Sequence, residues 1–132
     1  MSQQIAEQWL KDLADTANAK DLDNHMALIS KRISLQGVPG FESIGFDDWY
    51  RECKHEFENN ILKSVQYEGF KLMKATDTAV MFKTFETVEG TDGIVNAHGV
   101  EILLEKEQDG TWRMLQQRIM PDDETMHYKL LP

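Results

Sequence analysis

Apolar residues recur with helical spacing from the start of the chain. Ile5, Ala6, Trp9, Leu10, Leu13, Ala14 and Ala17 form one stripe of an amphipathic helix over 3–20 that Ser2 can cap. A second, shorter helix is predicted over 21–30, with Asp21 as its cap and Leu22, Met26 and Ile29 on one face. Residues 31–36 alternate and read as a short strand. Glycines and a proline punctuate 37–45, which reads as a loop. A third helix starts near Phe46. Asp47 and Asp48 fall in its first turn, where the helix dipole favours negative charge, and Phe46, Trp49, Tyr50, Cys53 and Phe57 share a face.

From Asn60 the period changes to two, and 62–75, 78–89, 94–107 and 111–120 read as strands. The turns at Thr76-Asp77, Gly90–Gly93 and Gln108–Gly110 are short, as between antiparallel neighbours. Helices first and a meander after is α+β segregation, not the alternation of a parallel sheet. A three-residue loop with Gly110 left-handed pairs Glu107 with Thr111. Leu104 then faces Met114, Ile102 faces Gln116, Val100 faces Arg118 and His98 faces Met120. Trp112, Met114, Val100, Ile102 and Leu104 share one apolar face, which the helices are expected to cover. The opposite parity carries Met81, Phe85, Leu103, Leu115 and Ile119. An apolar patch on a face that should be polar predicts a two-fold homodimer built sheet on sheet, unless β-bulges, as at Gly69, turn some of these residues inward.

Composition narrows the function. The chain has 132 residues, 41% hydrophobic and 28% charged, in the range of one globular domain. We read 1–132 as a single domain with its core over 3–120 and a tail over 121–132. Fourteen basic against 23 acidic residues leave a net charge of −9, which argues against non-specific nucleic-acid binding. No apolar run reaches the roughly 18 residues of a membrane span, and the first residues lack a secretory pattern, so a cytoplasmic protein is expected. Cys53 is the single cysteine, and its place on the aromatic stripe marks an inert core thiol. No histidine has a metal-ligand partner at helical spacing, Gly37-Val-Pro-Gly40 lacks the lysine of a phosphate loop, and no serine sits in a nucleophile elbow. Neither a metal nor a cofactor is called for.

The order of elements, with Asp21-Leu22-Asp23 before Met26-Ala27-Leu28 and Asp109-Gly110 before Trp112, resembles the nuclear-transport-factor-2-like superfamily over 3–120. That superfamily includes ketosteroid isomerases and small polyketide cyclases. The resemblance implies a cystatin-like cone: three N-terminal helices packed on a strongly curved, mainly antiparallel sheet, with a pocket in its open end. It also tests isomerase chemistry residue by residue. The general-base position falls at Gly37, the tyrosine position at Leu13, and the oxyanion acid position near Ile102, with Glu101 one residue away. Glycine accepts no proton and the other two are apolar, so chemistry of that type is not expected.

Other residues remain candidates. His98 enters a strand beside Val100 and Ile102, where it is either a general base or a hydrogen-bonded rim residue. Arg118 and Gln116 are expected inside the cone, positioned to orient a carboxylate or carbonyl, unless Arg118 pairs with an acid such as Glu86. Glu86 breaks the Val80, Phe82, Val88 face, as that partner or as a pocket acid. Tyr67, Trp49 and Tyr50 are either pocket lining or core. His25, His55 and His127 read as surface residues. Tyr128, Leu130 and Leu131 are apolar enough for the tail to fold over a partner subunit or the pocket mouth. Three functions fit this pattern. The first is a binder of a small apolar or acidic molecule. The second is an isomerase-, cyclase- or dehydratase-type enzyme with His98 as base. The third is an assembly module with a filled pocket.

Overall fold

The computed structural model describes residues 2–38, 40 and 42–128. Helix α1 (Ser2–Asn18) buries the predicted stripe of Ala6, Trp9, Leu10, Leu13 and Ala17. Fully burying a Leu- or Trp-sized side chain stabilises by about 1.5–3 kcal/mol, so this stripe fixes the helix on the sheet. The helix ends where Lys20 takes φ 59° and the Asp21 N–H bonds back to the Thr16 carbonyl at 2.9 Å. Asn18 then grips β2, donating to the Val65 carbonyl at 3.2 Å and accepting the Val65 N–H at 2.8 Å.

Helix α2 (Leu22–Met26) is shorter than the sequence pattern implied, with Asp21 capping it through the Asn24 N–H. Strand β1 (Ile29–Gln36) begins two residues before the expected 31, because the Leu28 carbonyl accepts the Met114 N–H at 2.9 Å and draws Ile29 into the sheet. Helix α3 (Phe46–Glu58) follows the glycine loop. Strands β2 (Leu62–Ala75), β3 (Ala79–Gly90), β4 (Val95–Lys106) and β5 (Trp112–Ile119) form the meander. The curved sheet has the order β1-β5-β4-β3-β2, with β1 parallel to β5 and every other pair antiparallel. Its inner face holds the core: Val80, Phe82, Val100, Ile102, Leu104 and Met114 are all at 0% exposure. No helix of the described residues is long and apolar enough to cross a membrane.

The last hairpin has the expected loop. The Glu107 N–H bonds to the Thr111 carbonyl at 2.9 Å and Leu104 faces Met114. Beyond that pair the register shifts, so that Leu103 faces Gln116, Ile102 faces Gln117, Val100 faces Ile119 and Glu101 faces Arg118. Leu115 is the extra residue, and it turns the rest of β5 over. Strand β1 breaks its register against β5 over the same stretch.

A second bulge lies at Gly69, φ 68°, between the Glu68–Phe85 and Phe70–Thr84 pairs. The buried Thr84 hydroxyl donates to the Gly69 carbonyl at 2.6 Å and secures it.

The outer face is partly covered by a helix within what the sequence marked as a tail, α4 (Asp122–His127). It settles on Gly99, where Thr125 leaves no room for a side chain. Of the residues expected to face a second subunit, Ile119 points inward instead. Phe85 is buried beneath Met120 and Tyr128 of the same chain. Met81, Leu103 and Leu115 remain half-buried on the outer face. Leu130 and Leu131 lie outside the described residues.

Candidate functional site

The open end of the cone is a cavity of about 720 Å³. Its sheet wall comes from Leu62, Val65, Tyr67, Glu86, Val88, His98, Gln117 and Ile119. Its helical wall comes from Leu13, Ala17, His25 and the face of α3 that carries Trp49, Cys53 and Phe57. This size and a mostly apolar lining with few polar groups match small-molecule sites.

Three of those polar groups form a row across the sheet. Tyr67 on β2 faces Glu86 on β3, and Glu86 faces His98 on β4, so the three are direct cross-strand neighbours. The Tyr67 hydroxyl donates to Glu86 Oε2 at 2.6 Å, and His98 Nε2 lies 3.1 Å from Oε1 of the same carboxylate. Burial holds the Tyr67 phenol well above its ordinary ionisation range, and the neighbouring Glu86 charge adds to this. The phenol therefore stays a proton donor. A carboxylate that accepts Nε2–H of His98 leaves the ring lone pair on Nδ1. His98, Tyr67, Glu86 and Trp49 thus line one cavity.

Gln116 and Arg118 do not. The bulge at Leu115 carries both to the outer face and brings Gln117 and Ile119 inside in their place. Arg118 pairs with Glu124 at 2.7 Å and with Glu101 at 3.3 Å, not with Glu86. Hydrogen bonds from Arg118 hold the Glu124 carboxyl down at about 2. Lys83, 3% exposed, lies between Glu124 at 3.4 Å and Glu101 at 3.6 Å, with the Tyr128 ring 3.6 Å above its Nζ. This network fastens α4 to the sheet. It also removes the cation that an acidic ligand would have met in the cavity. Among the described lining residues the only permanent cation is Arg51, which is held by Asp48 on the same helix.

Gln117, 5% exposed, has no side-chain hydrogen bond among the described residues, so its amide is available to a ligand. Parity counted from the hairpin pointed to Gln116, and a bulge carries no signal at the level of one chain's spacing.

The helical wall holds a second departure from expectation. His25, read as a surface residue, is buried at 6% exposure, and its ring meets that of Phe57 edge-on at 5.5 Å. Burial lowers its basicity to about 4, so it is neutral at ordinary pH. Its offset from the Leu22, Met26, Ile29 stripe misled, because α2 is a single turn wedged between α1 and α3. Tyr50 packs against the main core cluster, whereas His55 and His127 are exposed as expected. Burial pushes the Cys53 thiol up to about 12, which makes it unreactive. Burial also raises Glu56 to about 7, and the adjacent Glu52 carboxyl, hydrogen-bonded to it, reinforces the shift. No group of His, Cys, Asp and Glu among the described residues is arranged to hold a metal ion.

The three positions that the resemblance assigned to isomerase chemistry lie apart from the polar row. Leu13 is in the helical wall, Ile102 is sealed in the core, and Gly37 rests on the β5 backbone, where a Cβ would come within 2.5 Å of the Ile119 carbonyl.

No protein-family model matches this sequence, and no curated protein matches it either. Solved structures do. A nuclear-transport-factor-2-like protein of unknown function from Shewanella oneidensis superposes with a TM-score of 0.75 at 17% identity, covering 90% of this chain and 98% of the other. A scytalone dehydratase-like protein from Novosphingobium aromaticivorans gives 0.72 at 10% identity over 89% and 81%. A ketosteroid isomerase-like protein from Erwinia carotovora atroseptica gives 0.62 at 17% identity over 89% and 95%. The chain has the nuclear-transport-factor-2-like fold, the cystatin-like cone that the sequence implied.

Proposed function

We propose that this protein binds a small, mostly apolar molecule carrying a carbonyl oxygen inside the cone. The observation that carries this reading is the row Tyr67–Glu86–His98 set into an otherwise apolar cavity of about 720 Å³. A bicyclic or tricyclic compound suits that volume. The acidic lining disfavours a carboxylate or phosphate, and the free Gln117 amide offers a donor to a carbonyl.

A second reading is favoured by the orientation of His98. With Nε2 held by Glu86, Nδ1 is placed to take a proton from carbon or oxygen, Glu86 balances the charge that forms, and Gln117 donates to the developing oxyanion. This is proton transfer on a carbonyl compound, the reaction type that dehydratases, isomerases and certain cyclases share. It does so without the carboxylate base of ketosteroid isomerases. Names among the similar folds include enzymes of this kind alongside proteins of unknown function, which supports the reading at the level of fold only.

One experiment tests both readings. The protein is mixed with a bicyclic aromatic ketone such as tetralone in deuterium oxide. Ligand-observed NMR reports binding, and loss of the α-proton signal reports exchange. Binding with exchange that His98→Ala abolishes establishes the enzyme. Binding with no exchange above the buffer rate leaves a binding protein. Failure of tetralone and related fused-ring ketones to bind sinks the cavity reading.

A further inference from the structure

We infer that His25 is a ligand-binding residue, with Nε2 accepting a hydrogen bond from an O–H or N–H group of the molecule held in the cavity. This rests on the reading that the cavity takes a small molecule, and it adds a requirement on that molecule: a donor at the end facing the helical wall.

The argument starts from the single hydroxyl proton of Thr16. Its Oγ1 lies 2.9 Å from the Asp12 carbonyl and 3.1 Å from the Leu13 carbonyl, in the back-bonded arrangement of a threonine inside a helix. Those carbonyls accept the proton. What Oγ1 presents to His25 Nδ1, 2.9 Å away, is therefore a lone pair, so Nδ1 carries the imidazole proton. A neutral ring protonated on Nδ1 has its lone pair on Nε2.

Nε2 has no hydrogen-bond partner among the described residues. It is also not sealed off, because no described side-chain nitrogen or oxygen is both cut off from solvent and unpaired. His25 as a whole is 6% exposed and lines the cavity, so the space Nε2 opens to is the cavity. Phe57, edge-on to the ring at 5.5 Å, fixes its plane. The result is an acceptor whose position and tautomer are both set before any ligand arrives. A preorganised acceptor in an apolar wall discriminates well, since a ligand without a donor leaves it dry and unpaired.

A hydrogen bond with the Leu13 backbone and, less, the Asp21 charge oppose the effect of burial without overcoming it. Burial keeps the ring uncharged, so an anionic ligand gains nothing from it, in keeping with the acidic lining elsewhere. His25 stands on the opposite wall from the row Tyr67–Glu86–His98. A molecule spanning the two walls would meet an acceptor at one end and the His98 base with the Gln117 donor at the other.

The test uses protein with isotope-labelled histidine and two probes of nearly equal shape, 2-naphthol and 2-methoxynaphthalene. Nitrogen NMR of the free protein is expected to show His25 neutral and protonated on Nδ1. Naphthol is expected to shift the Nε2 resonance and to bind about tenfold more tightly than its methyl ether, the size of one net hydrogen bond. His25→Phe is expected to erase that preference, so that naphthol and its methyl ether bind the variant equally. A proton found on Nε2 in the free protein overturns the inference without any variant having to fold. Equal affinity for the two probes also overturns it and leaves the cavity reading standing. If neither probe binds while tetralone does, the inference falls and the cavity reading stands; if tetralone fails as well, both fall.

Discussion

Gly99 and Thr125 fit together with no space for a methyl group. A Cβ on Gly99 would stand 2.4 Å from Thr125 Oγ1 and 3.0 Å from its Cγ2. This contact seats α4 on the outer face of β4, beside the Arg118–Glu124 pair. Gly99→Ala is expected to lower stability by about 1–3 kcal/mol through overpacking and to make the segment after Met120 sensitive to protease. Restoring room with Thr125→Gly in the same chain should recover part of the denaturant midpoint. A Gly99→Ala protein with unchanged midpoint and unchanged protease resistance would show that α4 does not depend on this contact.

Burial raises the Tyr67 ionisation, and Glu86 raises it further. The chain has three tyrosines, and among the described contacts Tyr67 alone has its hydroxyl on a carboxylate, that of the half-buried Glu86, at 2.6 Å. Glu86→Gln removes a negative charge beside the phenolate, so Tyr67 should ionise at lower pH than in the parent, though still late because burial remains. Tyrosinate absorbance during an alkaline titration reads the difference. No movement of the latest-titrating tyrosine would count against the pairing.

His25 and Glu56 act on stability in opposite directions. His25 has a folded-state value near 4 against 6.5 for a free imidazole. Between those limits the unfolded chain binds a proton that the folded one refuses. Stability should therefore fall as pH drops through that window, by up to about 3 kcal/mol, and His25→Phe should flatten this part of the curve. Glu56 is raised from 4.5 to about 7, so the folded chain holds the extra proton there and stability falls as pH rises through that range. Glu56 is only half-buried, and solvent screening reduces its contribution to the order of 1 kcal/mol. Glu56→Gln should stabilise the protein above pH 7 and leave it unchanged below 4.5. Denaturation curves of the two variants across pH separate the effects.

The bulge at Leu115 makes Gln117 and Gln116 unequal. Gln117→Ala should weaken binding of a carbonyl ligand several-fold, because the amide donor is lost from the cavity. Gln116→Ala should leave binding unchanged. Arg118→Gln should act on stability alone, since it leaves the Glu101 and Glu124 carboxylates short of a partner on the outer face. Isothermal titration with the ketone, paired with melting temperatures, tells these outcomes apart. A ligand effect at Gln116 equal to that at Gln117 would mean that β5 is not turned over in solution.

What the sequence determined by itself was set over short range. The α1 stripe, the change of period at Asn60, and the Glu107–Thr111 loop with the Leu104–Met114 pair all follow from residues a few positions apart. Local spacing and turn chemistry are enough to fix such features, and they sufficed for the α+β segregation, whereas the cone with a pocket in its open end was implied by the family resemblance. The tertiary structure decided whatever depended on elements remote in the chain. Leu115 becomes an extra residue only because β5 is paired on both edges, to β4 and to β1, and both neighbours leave register over the same stretch. That one offset moved Arg118 out and Gln117 in. His25 is buried because α1 and α3 close over a single turn of helix, and Phe85 is covered because α4 returns to Gly99. Period along a strand or helix reports which residues share a face. Which face is covered, and by what, is settled by long-range packing that no local pattern encodes.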